Sequence, residues 1–220
     1  MGTEAVATDA HLRPASEQDL TDSRTLLDRL LRLDPGAAVR LQDLSGTVSL
    51  WAQPLGVVVR RDVRGALDVG DRTVPGGALA VALAQAAACV RLPGGVDATW
   101  RVTLPPRAGW EPMDEVPARA LRDLTREAGA LVRSAADPAA AGETLLDQEA
   151  LRVSAAGEQV VLTVRLVVVL SRLGFLGGRP DEVVRIACTP AWARVAARHG
   201  TAYQRRSTLG PGLSSVSPVR

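Results

Sequence analysis

VRLQDLSGTVSLWAQPLGVVVRRDV, residues 39–63, alternates apolar and polar side chains on either side of Ser45-Gly46 and again around Pro54 to Gly56. A period of two buries one face of a strand, and Ser-Gly and Pro-Leu-Gly are turn chemistry, so the stretch predicts a meander of about three antiparallel strands. Upstream the period changes. In SEQDLTDSRTLLDRLLRLDPG, Leu20, Leu26, Leu27, Leu30 and Leu31 fall at helical spacing, Ser16 is placed to cap the helix, and Pro35 and Gly36 stop it. Downstream, Val74 leads into PGGALAVALAQAAACVRL, where Pro75 opens a helix and Pro93-Gly94-Gly95 closes it. That helix is apolar on nearly every side, which predicts burial. VDATWRVTLPP then reads as a strand through Trp100, Val102 and Leu104.

The pattern restarts after Pro105. Asp114 and Glu115 stand where the first turn of a helix favours acids, ahead of VPARALRDLTREAGALVRSA. In that helix Leu121, Leu124, Ala128 and Leu131 form one stripe, and Pro138 and Gly142 close it. ALRVSAAGEQVVLTV is a hairpin around Ala156-Gly157, RLVVVLSRLGFLGG a short helix ending in glycines, and DEVVRIACTPAWARVAA two strands around Pro190. LPGGVDATWRV (Leu92 to Val102) and LGGRPDEVVRI (Leu176 to Ile186) are the closest local match between the halves. The order reads as a degenerate duplication with a period of roughly 85 to 90 residues.

The expected fold is therefore α+β, with two pseudo-repeated units. Each is an amphipathic helix, antiparallel strands, a short apolar helix and a further strand. Residues 16–104 and 114–203 form the units, 105–113 the linker, 1–15 a flexible leader and 204–220 a disordered tail.

Composition narrows the class. The chain has 220 residues, 46% of them hydrophobic, ample for a core. It contains no lysine or asparagine and single copies of Ile186, Phe175 and Tyr203, a depletion of AT-rich codons that points to a high-GC bacterium. The formal net charge is +2, which gives no strong electrostatic reason to bind nucleic acid, although every positive side chain is arginine. The start MGTEAVATDAHLRPASEQDL lacks the basic-then-apolar order of a secretory signal. The longest apolar run, Val160 to Leu170 with Arg165 inside it, is shorter than the ~20 residues a bilayer requires. A cytoplasmic protein with no membrane contact is expected.

No GxGxxG, GxxxxGK[ST], HExxH or GxSxG signature is present, and Cys89 and Cys188 lie apart with no metal-ligand spacing. No cofactor, metal or catalytic residue is therefore assigned. Both cysteines read as buried small hydrophobes, Cys89 on the apolar helix. Of the two histidines, His11 falls in the leader and His199 after the final strand; an enzyme with a dispersed site would use His199 with Glu182 or Asp181. Trp51, Trp100 and Trp192 fall in strands and read as core, whereas Trp110, in PPRAGWEPM, is the candidate partner anchor. Arg60, Arg61 and Arg64 cluster at a strand end, and Arg119, Arg122 and Arg126 recur along the second long helix. All six are candidate partner contacts, although Asp123 and Glu127 alternate with the helical set.

TVSLWAQPLGVVVRRDV, DRTVPGGALAVALAQ, MDEVPARALRDLTREAGALV and LRVSAAGEQVVLTV together resemble half-domains of the bacterial DNA sliding clamp, in which a strand ending in a Val-Pro step leads into a helix. The resemblance implies a clamp-like partner of DNA and polymerases, with helices facing the DNA. The chain departs from that pattern in being short of three clamp domains and in the uncharged helix after Pro75. From the residues alone, a non-enzymatic interaction or scaffold protein comes first. The DNA-associated clamp-like factor comes second and the dispersed-site enzyme third. The partner expected is a protein, with DNA and a second copy of the chain as alternatives.

Overall fold

A computed structural model describes residues 9–206. The first unit runs β1 (His11–Pro14), α1 (Glu17–Leu33), β2 (Ala38–Asp43), β3 (Thr47–Ala52), β4 (Val58–Leu67), β5 (Asp71–Pro75), α2 (Gly76–Gln85) and β6 (Val90–Arg91). The second runs β7 (Glu111–Pro117), α3 (Ala118–Ser134), α4 (Pro138–Leu146), β8 (Glu149–Ala155), β9 (Glu158–Thr163), α5 (Val164–Arg172), β10 (Val183–Cys188), β11 (Trp192–Ala197) and β12 (Gly200–Arg205). The fold is α+β in two units.

Ser16 caps α1 by accepting from the Asp19 amide at 3.1 Å, and Thr163 caps α5 through the Leu166 amide at 3.4 Å. The other two core helices start differently. Val74-Pro75 ends β5 and opens α2, and Val116-Pro117 ends β7 and opens α3, because a proline needs no amide partner at a helix entry. The first helical amide is held by backbone in both cases, Gly76 by the Ala37 carbonyl and Ala118 by that of Glu182, each at 2.8 Å.

Antiparallel pairing builds one sheet in the order β5-β2-β3-β4-β12-β11-β10-β7, with β1 on the far end of β4 and β6 on β1. The units meet where β4 pairs β12, with Tyr203 opposite Val58 and Thr201 opposite Arg60. That order is a palindrome: the three strands after α1 abut the three strands after α5, and the two strands that lead through Val-Pro into a helix lie at opposite ends. A pseudo-two-fold through the β4–β12 pair thus matches α1 with α5 and α2 with α3, a correspondence hidden by sequence order.

The main core lies between the sheet and its helices. Leu41, Leu50, Val59, Val184 and Val195 from the sheet meet Leu27, Leu30, Leu79, Leu121, Leu166 and Leu170 from α1, α2, α3 and α5. Arginines tie the helix ends: Arg24 of α1 donates to the Leu83 and Ala86 carbonyls that end α2, at 2.9 and 2.6 Å. Arg122 of α3 donates to those of Leu176 and Gly177 beyond α5, at 3.1 and 3.0 Å. Arg24 thereby satisfies carbonyls that the end of α2 leaves open, and Arg122 satisfies those of the turn that follows α5.

Several expectations are corrected. The expected leader includes an ordered strand, since His11–Pro14 is β1 and pairs β4 and β6; residues 1–8 lie outside the described residues. Likewise the tail cannot begin at 204, because Gln204 and Arg205 continue β12, and residues 207–220 lie outside the described part. The apolar helix stops at Gln85, so Cys89 is off it and exposed, while Cys188 is buried as expected. That helix is covered on one side only: Leu79 and Leu83 are buried and Val81 is 58% exposed. No strand forms through Trp100, Val102 and Leu104; a single 3-10 turn, Asp97–Thr99, is followed by irregular chain. The local match with Leu176 to Ile186 therefore joins unlike structures. Asp114 and Glu115 lie in β7 rather than in a helical first turn, and Pro138 opens α4 instead of closing α3.

Candidate functional site

The opposite face of the sheet carries what the helix-covered face lacks. Alternation along the strands turns Trp51 of β3, Val58 of β4, Tyr203 of β12 and Trp192 of β11 away from the helices, and these four form a second buried cluster. The segment from Trp100 to Trp110, which joins the units, lies over that cluster as a strap, with Trp100, Val102, Leu104 and Trp110 packed partly buried against it. Trp51 meets Tyr203 at 5.6 Å between ring centroids, and Trp110 meets the same ring at 5.8 Å, both pairs tilted. The strap holds its own shape through two indole bonds, Trp100 Nε1 to the Val102 carbonyl at 2.8 Å and Trp110 Nε1 to that of Pro106 at 2.9 Å.

Every tryptophan of the chain has a guanidinium over its ring. Arg40 lies 5.8 Å from the Trp100 ring, Arg60 5.4 Å from Trp51, Arg194 4.6 Å from Trp110 and Arg205 4.6 Å from Trp192. Two of the four carry carboxylates: Arg40 pairs with Asp71 at 2.6 Å and Arg60 with Asp62 at 3.1 Å. Burial pushes the Tyr203 hydroxyl above its ordinary pKa, against the pull of Arg60 and Arg194.

The structure separates the candidates chosen from sequence. Trp110 belongs to the outer array, half-buried rather than free. Arg60 joins it, but Arg61 points the other way along β4, bonding the His199 carbonyl at 2.9 Å and pairing with Asp22 of α1. Arg64 reaches Asp19 at 3.3 Å, and with Ser16 holds that carboxyl below its usual range although burial opposes this. On α3, Arg122 is committed to carbonyls, Arg126 pairs with Asp123 at 2.6 Å, and Arg119 is exposed. Sequence reading did not select Arg40 or Arg194 and left Arg205 in the tail, whereas it belongs to β12. The available signal was the alternation Trp192-Ala193-Arg194 on a single strand.

His199 does not form a dyad. It sits in the turn between β11 and β12, where burial and then Arg61 and Arg198 depress its pKa. Glu182 is buried and turned to other partners: the Arg179 amide at 2.9 Å and the Arg198 guanidinium at 3.4 Å. Asp181 pairs with Arg179 at 3.1 Å. Among the described residues no helix is long and apolar enough to cross a membrane.

Residues 7–102 match the family described as a domain of unknown function (DUF8010), and residues 105–209 match that described as a domain of unknown function (DUF8185). No curated protein matches the chain. Solved structures do. The DNA polymerase sliding clamp from Bacillus subtilis is 12% identical, with a TM-score of 0.58 over 96% of this chain and 68% of that one. A putative DNA polymerase III beta subunit from Eubacterium rectale is 13% identical, with a TM-score of 0.61 over 89% and 64%. The beta subunit from DNA polymerase of Streptococcus pyogenes is 12% identical, with a TM-score of 0.56 over 89% and 64%. The fold is similar to that of bacterial sliding clamps. This chain spans about two thirds of the length of those it matches.

Proposed function

We propose that the protein is a non-catalytic, clamp-like factor that associates with DNA through its helix layer. The observation that carries this reading is the extent of the likeness, which takes in both units and the strand-to-helix steps at Val74-Pro75 and Val116-Pro117. Charge supports one half of the layer more than the other. Helix α1 bears Glu17, Asp19, Asp22 and Asp28 against Arg24, Arg29 and Arg32, and α2 bears no charge. Around α3 and α5, the exposed Arg119, Arg133 and Arg172 have no carboxylate partner among the described residues. Duplex DNA is accordingly taken up at the second unit, where guanidinium groups replace phosphate counterions. A protein partner of the polymerase type follows from the same likeness, and the two units are read as an ancient duplication.

Retention of the full chain on duplex DNA, measured against salt, tests the reading. The expected result is binding at about 50 mM salt that weakens steeply by about 200 mM, with a logarithmic slope reduced by about 2–3 when Arg119, Arg133 and Arg172 are all replaced by alanine. Absence of retention at the lower salt overturns it.

A further inference from the structure

The part of the outer face over β11 and β12 holds more positive charge than its carboxylates balance. Arg40 and Arg60 are paired, but Arg194 has no carboxylate partner among the described residues. Its guanidinium is half-buried under the Trp110 indole, and its Nε is sealed from water without a hydrogen bond. Burial and the neighbouring Arg60 push its pKa down, so the surroundings oppose the charge they contain. Arg205, exposed over Trp192, also lacks a carboxylate, as do the exposed Arg101 and Arg107 of the strap itself. A partly buried guanidinium without an anion is held at a cost, and methionine would fill the same space without it. Arginine adds a planar fork for a pair of phosphate oxygens beside an aromatic plane.

From this we infer that the strap side of the sheet is a second binding surface, for single-stranded nucleic acid, with Arg194 and Arg205 on phosphates and the half-exposed Trp100 and Trp110 against bases. Unpaired bases offer π-faces to indoles, which a duplex keeps stacked inside itself. An acidic peptide would use the guanidinium groups and leave the indoles without a role. The surface runs from β2 to β11, four inter-strand steps of about 4.8 Å or ~19 Å in all, long enough for a short run of nucleotides. It lies across the sheet from the helix layer and does not rest on the clamp reading.

All four tryptophans lie on this face, so their fluorescence reports occupancy directly. The full chain is titrated with an oligothymidylate of about a dozen nucleotides, and separately with the matching duplex. Quenching by the single strand is expected, with a salt slope reduced by about 1.4 in the Arg194→Ala, Arg205→Ala double variant and restored by lysine at both positions. Trp110→Ala is expected to weaken binding about 5- to 150-fold. Replacing Arg119, Arg133 and Arg172 is expected to leave the single-strand titration unchanged while lowering duplex retention, so the two proposals fail separately. Thermal melts of the variants confirm folding. No quenching at about 50 mM salt, or a slope unchanged in the folded double variant, overturns the inference.

Discussion

One sheet presents two faces that solve the problem of coverage in opposite ways. Its inner face is aliphatic apart from Phe175 and is closed by four helices, with Ser16, Thr163 and Arg24 capping helix ends and Arg122 holding the turn after α5. Its outer face holds all the tryptophans and the single tyrosine, and is covered by irregular chain with arginines on the rings. Each face buries one Nε without a hydrogen bond, but Arg61 on the inner side pairs with Asp22 and bonds the His199 carbonyl, whereas Arg194 on the outer side has no carboxylate among the described residues. Such departures concentrate where function outweighs stability. The difference predicts that the inner face dominates stability, and that Arg194 can be replaced with little loss of it.

The strongest way to break this comparison is at Phe175, the only phenylalanine, fully buried, whose ring lies where a side chain on Gly200 would clash at 2.5 Å. Phe175→Ala is expected to lower unfolding free energy by about 3–5 kcal/mol in chemical denaturation. Trp110→Ala, on the outer face, removes one tilted ring contact and one cation–π contact from a half-buried position, and is expected to cost only about 1–2 kcal/mol. Equal losses would show that the strap is as integral as the helix layer. Between the two in kind, though not in size, is Ser16→Ala, which leaves the Asp19 amide without its cap and is expected to cost about 1 kcal/mol.

A smaller effect sharpens the contrast. Arg194→Met removes a cation–π contact and a partly buried charge without a carboxylate partner together, and the two losses offset each other. Thermal melting at or above that of the parent is expected. A drop as large as that of Trp110→Ala would mean that the guanidinium is structural, with its charge satisfied in solution.

How much of this was legible follows from what periodicity measures. Helix α1 and the hairpins of β2–β4, β8–β9 and β10–β11 were readable because their side chains alternate or recur and their turns carry Ser45-Gly46, Ala156-Gly157 and Pro190. The same signal misled at Trp100, Val102 and Leu104. Alternation there is real, since those residues pack on the outer cluster, yet the chain has no ladder partner. A period of two reports an extended chain with one side buried, and a strap meets that condition as well as a strand. The uncharged α2 was expected to be buried because its composition is apolar, but alanine and glycine bury little area, and one face of the helix stays open. The Val-Pro steps carried the clamp likeness. The arginine–tryptophan array stayed hidden because its members come from β2, β3, β4, β11, β12 and the strap, and only the palindromic strand order brings them together.

The smallest expected effect concerns the seam between the units. His199 lies in the β11–β12 turn, its carbonyl bonded to Arg61 of β4 and its ring near Arg61 and Arg198. Burial first, and these two positive charges next, hold its pKa below 6.5, so the folded state binds a proton less readily than the unfolded chain. The sign follows directly. Above the unfolded value both states are neutral at this site and stability is complete; as pH falls through and below that value the unfolded state takes up the proton first, and stability declines until the folded pKa is passed. His199→Gln removes the proton exchange while keeping a polar side chain in the turn. The variant is expected to melt nearly at the parent's temperature at neutral pH and to lose less between about pH 6.5 and pH 5. Parallel melting curves across that window would place the histidine in an environment no different from the unfolded chain, and the seam would then be open to water.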